Sequence, residues 1–153
     1  MQKLNLGTRV EMFSICTSIE YDIKHFIISS CSNIKFTEEM LKRASERNKN
    51  AESEEDILNQ LDLGDFVQII VSSPYEYRIN LDKVKQLEKY FEHIIPVRNR
   101  VMHTKPLELG DRALLIEVMQ EIDQSLPWIE WAELHTTRKI IEEDSSRLLT
   151  RKY

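Results

Sequence analysis

The segment Pro96-Val97-Arg98-Asn99-Arg100-Val101-Met102-His103-Thr104-Lys105-Pro106 gathers a guanidinium, an amide and an imidazole into a short stretch. Pro96 either breaks an incoming helix or starts a new one within its first turn, and Pro106 ends the helical stretch between the two prolines. On a helix advancing about 100° per residue, Arg98, Met102, Asn99 and His103 fall in order across an arc of about 140°. Asn99 and His103 then lie one turn apart, and Arg98 is long enough to bring its guanidinium round to them. Val101 points the other way, toward a core. The pattern predicts one face with a cation, an amide and an imidazole, and no carboxylate among the neighbours to neutralise them. A guanidinium binds phosphate through paired hydrogen bonds and stabilises charge as it builds in a transition state. Imidazoles titrate near neutrality, as general acid–base catalysis requires. Together these types suit cleavage of a phosphodiester, with Arg100 and Lys105 close by.

The rest of the chain must hold that segment in place. It has 153 residues, 41% of them apolar, enough for one core and a single domain over 1–153. Glycines (3) and prolines (4) are too few for a protein of many tight turns, which favours helices. Val10, Phe13, Cys16, Ile19, Ile23 and Phe26/Ile27 recur at helical spacing, the stripe of a long amphipathic helix. Thr37, Ser53 and Asn80 are candidate N-caps, the first two followed by acids that suit the positive end of a helix. Phe66 to Val71 reads as a buried helix, although its β-branched residues also suit a strand. A helix over 108–126 carries Leu114, Leu115, Val118, Met119 and Ile122 on one side. The expectation is an all-α, up-and-down bundle of five to six helices with its core over about 8–148.

Several readings are less eventful. A histidine and an arginine on a helix are more often surface residues or caps than catalysts. His25, His93 and His135 show no ligand spacing, and Cys16 and Cys31 stand too far apart on one helix to pair. No metal, cofactor or Gly-rich phosphate loop is expected, and the two cysteines read as buried thiols of a cytoplasmic protein. Trp128 and Trp131 read as packing residues, and Tyr75 and Tyr77 as loop cover rather than stacking platforms. No apolar run is long enough to span a bilayer. A net charge of −5 argues against a protein that grips nucleic acid by its overall field, so any such contact must be a local basic spot.

The run Arg98-Asn99-x-x-x-His103, followed by Thr104 and, after Lys105, by Pro106, resembles the motif of HEPN domains. The resemblance is close over the motif and loose over the helix order. It implies an all-helical domain, in many members a metal-independent ribonuclease of toxin–antitoxin, phage-defence or RNA-processing systems. It further implies that Arg98 orients the scissile phosphate, that Asn99 holds the imidazole, and that His103 is the general base or acid. The 2′-hydroxyl attack would leave a 2′,3′-cyclic phosphate and spare DNA. Two motifs would meet across a homodimer axis, joining two copies of Arg98, Arg100 and Lys105 into a basic groove. An antitoxin or regulatory domain would restrain the activity. A HEPN-like module that binds nucleotides, RNA or a partner without cutting is the alternative.

Overall fold

The computed structural model describes residues 6–144. Every regular element among them is a helix: α1 (Leu6–Ser30), α2 (Glu38–Arg47), α3 (Glu54–Leu58), α4 (Leu63–Ser72), α5 (Leu81–Glu92), α6 (Ile94–Met102), α7 (Asp111–Ser125) and α8 (Ala132–Asp144). The all-α expectation holds, with eight helices rather than five or six. Part of the excess is the one-turn α3. Part is the division of α5 from α6 at His93. Pro96 has no N–H to give the Glu92 carbonyl, and its ring crowds that oxygen, so the ladder breaks one turn earlier. The expected core over 145–148 lies outside the described residues.

Contacts divide the described residues into two compact units, one of residues 6–22 with 92–144 and one of residues 23–91, the division falling inside α1. The second unit takes its start signals from the sequence directly. Thr37 Oγ1 accepts the Met40 N–H at 3.1 Å, Ser53 Oγ that of Asp56 at 3.0 Å, and Asn80 Oδ1 that of Lys83 at 2.9 Å. Asp62 and Asp65 form a reciprocal capping box at the head of α4, each carboxylate accepting the other's N–H at 3.1 Å. This box settles the strand-or-helix question for Phe66 to Val71: α4 buries Leu63, Phe66, Val67, Ile69 and Ile70. Asp65 also receives both ends of the Arg43 guanidinium, at 3.0 and 2.6 Å, which fixes α2 against the start of α4. Tyr77 is buried with its ring 5.7 Å from that of Phe26, so it covers core, whereas Tyr75 is exposed.

The first unit is built on the N-terminal part of α1 with α6, α7 and α8. There α1 buries Met12, Ile15, Cys16 and Ile19 together with Ser14, Ser18 and Asp22, more than half of its circumference. Phe13, expected on the core stripe, is 45% exposed; the stripe runs through Met12 and Ile15 instead. With apolar residues on both sides of position 13, spacing alone fits either register. α7 begins at Asp111 rather than near 108 because Gly110 adopts φ 94°, which no helix can pass through. Trp131 is buried and donates from Nε1 to the Leu126 carbonyl at 2.9 Å.

The start of α8 has no cap of its own in sequence. Asp22 of α1 supplies one, its Oδ1 accepting the Glu133 N–H at 3.0 Å and its Oδ2 that of Leu134 at 2.9 Å. One turn back, Ser18 meets Thr137 at 2.5 Å. Burial pushes the Asp22 carboxyl up to about 6, against the pull of the two N–H groups. The folded chain therefore holds this proton more tightly than an ordinary carboxyl does. The resulting stability is complete below the usual value of 3.8 and is lost as pH rises through about 6. Melting curves of the native chain and Asp22→Asn should show the native advantage shrinking by several degrees between about pH 4 and pH 7. A difference that stays constant with pH would refute this account.

Candidate functional site

α6 is anchored by Ile94, Val97 and Val101, all buried, and packs against α7. Those three positions define a stripe at i, i+3 and i+7 whose missing i+4 member is Arg98. The arginine accordingly lies on the core side of the helix, only 7% exposed. The expectation of an open cationic face without carboxylates is corrected here. Arg98 Nε donates to Glu20 Oε1 of α1 as an ion pair, and Nη1 donates to Asn99 Oδ1 at 3.1 Å. No local pattern announces Glu20, because the pairing is tertiary, 78 positions apart in sequence. The readable signal was an arginine occupying a core position of α6.

Asn99 is the link between the two outer members of the motif. Its side-chain oxygen takes the guanidinium, and its backbone oxygen accepts the His103 N–H at 3.1 Å. The resemblance assigned Asn99 to the imidazole, whereas its side chain here engages Arg98. His103 caps the end of α6 and is exposed, and its imidazole makes no hydrogen bond or ion pair to a described residue. Its position comes from the backbone. Thr104 takes a left-handed φ of 51°, its hydroxyl donates to the His103 carbonyl at 2.8 Å, and the Lys105 N–H closes on the Arg100 carbonyl at 3.0 Å. A β-branched residue in that conformation is strained by about 1–3 kcal/mol.

Arg100 belongs to the scaffold. Its Nε and Nη2 reach Asp111 at 2.9 and 2.7 Å, Glu108 lies 3.6 Å away, and the same Asp111 carboxylate accepts the Glu108 N–H at 2.8 Å. The guanidinium holds the Asp111 carboxyl below its usual range, and Asp111 raises Arg100 in turn. Of the cations foreseen for a basic groove, Lys105 is exposed, whereas Arg98 and Arg100 are each matched by a carboxylate. Cys16, one turn before Glu20 on α1, is a buried free thiol pushed up to about 12 by burial and by Glu20, with Arg98 opposing. It is a packing residue and no nucleophile. Cys31 is also buried and free. His135 pairs with Asp123 at 3.3 Å, and among the described residues no group of His, Cys, Asp and Glu is placed to hold a metal ion.

The arrangement separates two chemical tasks. An accessible imidazole can exchange protons with a ligand, while a charge-compensated guanidinium beneath the surface supplies fixed donors in a water-poor setting. Of the Arg98 nitrogens, Nη2 has no hydrogen bond to a described residue, and it is not among the fully buried unpartnered atoms.

Removing the two side chains should have very unequal structural consequences. Arg98→Ala strands the Glu20 carboxylate and should cost about 3 kcal/mol in denaturant unfolding. His103→Ala removes an exposed side chain and should stay within about 0.5 kcal/mol of the native chain. Equal losses for both would contradict the buried-pair geometry. Comparison of the chain with family models, with curated proteins and with solved structures gives no match, so the residues themselves carry the functional argument.

Proposed function

We propose that this chain is a metal-independent RNA endonuclease of the HEPN type, acting as a homodimer. The observation that carries the reading is an accessible His103 imidazole at the end of the same helix that carries the Arg98 guanidinium, which Asn99 and Glu20 hold in place. His103 takes the proton of a ribose 2′-hydroxyl, and that oxygen attacks the adjacent phosphorus. The bond to the 5′-oxygen breaks, and the leaving oxygen takes a proton from the imidazole of a second copy. The products are a 2′,3′-cyclic phosphate and a 5′-hydroxyl. Arg98 stabilises the charge on the phosphorane from its fixed position. Lys105 supplies the exposed positive charge beside this step, while Arg100 is held by Asp111. The host's need to restrain such an activity fits an antitoxin or regulatory domain as partner.

A second reading is a non-catalytic HEPN-like module that binds nucleotides, RNA or another copy. The pairing of Arg98 with Glu20 and of Arg100 with Asp111 favours it, because both withdraw positive charge from the surface. RNA incubated in EDTA with the native chain and His103→Ala separates the two. The endonuclease reading requires cleavage lost by at least about 100-fold in the variant, lost also at a single 2′-deoxy position, and ending in a cyclic phosphate. A native chain that binds RNA and leaves it whole establishes the binding module. A monomer by size-exclusion chromatography across the working concentrations would exclude the composite site.

A further inference from the structure

We propose that Glu20 is the positioning residue of this site: it holds Arg98 by the Nε edge and cancels its charge, so that a phosphate is received at the Nη end alone. The inference rests on the reading that Arg98 meets a phosphodiester. A guanidinium offers two forks for an oxyanion, one along Nε and Nη2 and one across the two Nη groups. Glu20 Oε1 occupies Nε, which removes the first fork. Asn99 Oδ1 takes one hydrogen of Nη1, and Nη2 is uncommitted among the described residues. What remains is the Nη end of the guanidinium, which Asn99 holds from the next position on α6.

The partner's charge matters as much as its geometry. Arg98 is buried, and Glu20 beside it is partly buried, so the carboxylate repels any phosphate that approaches the same guanidinium with little solvent to screen it. Resting affinity is set low by this internal anion. The site then favours a phosphate whose negative charge has grown, as it does in a phosphorane, over one that merely rests there.

The test uses the intact chain and a fluorescent 2′-O-methyl RNA oligonucleotide, which cannot form a cyclic phosphate. Anisotropy titrations should show Glu20→Gln binding roughly tenfold tighter than the native chain, and the gain should vanish in Glu20→Gln/Arg98→Gln. Equal affinity of folded native and Glu20→Gln proteins overturns the proposal, and so does a gain that survives loss of Arg98. Should the variant not fold, the native chain decides. On titration with inorganic phosphate, the NMR signals of the Arg98 Nη groups should shift while that of Nε stays. Movement of Nε together with Nη, or no movement, overturns the proposal. Cleavage of unmodified RNA is scored separately. A tighter Glu20→Gln chain without native cleavage sinks the endonuclease and keeps Glu20's role; native cleavage with unchanged binding does the reverse.

Discussion

A positive charge on the core side of a helix has to be answered by a negative one. Arg98 stands where α6 would otherwise bury an aliphatic residue, and the cost of withdrawing its charge from water is offset by the Glu20 carboxylate. That one requirement ties α6 to α1 at the level of the motif. It also explains why Asn99 turns to the guanidinium: a buried arginine has five donors to place, and the amide oxygen of the next residue accepts one of them. His103 is left to be positioned by its backbone.

Among the described residues, buried aspartates are likewise answered, two by an arginine and one by backbone donors. Asp65 joins Arg43 while closing the head of α4, Asp111 joins Arg100 while accepting the Glu108 N–H, and Asp22 receives two N–H groups at the head of α8. Each buried acid thus satisfies a helix start or the turn before it, and two of them anchor an arginine as well. Polar contacts of this kind specify one arrangement of helices, where apolar side chains of similar size would tolerate several.

The helices were legible because their signals are local. Thr37, Ser53 and Asn80 stand at helix starts and act there as caps, and Pro96 divides α5 from α6 by withholding one N–H. Register on α1 was less legible, because Met12 and Phe13 are adjacent and both fit an apolar spacing, yet only Met12 is buried. The placement of the candidate residues along the helix was more legible than their electrostatics. Arg98 and Asn99 lie on α6 and His103 caps its end, but the charges that answer Arg98 and Arg100 come from Glu20 and Asp111. Those partners lie on other helices, beyond the reach of any helical periodicity. An arginine completing the Ile94, Val97, Val101 stripe was the one local hint that such a partner had to exist.

Thr104 gives the end of α6 a mechanical character. Its left-handed backbone is held by the closure of Lys105 onto Arg100, and Arg100 is in turn clamped by Asp111 at the head of α7. The joint is a strained turn braced by a carboxylate. The imidazole just before this turn is thereby seated by contacts that run through Asp111 to the head of the next helix.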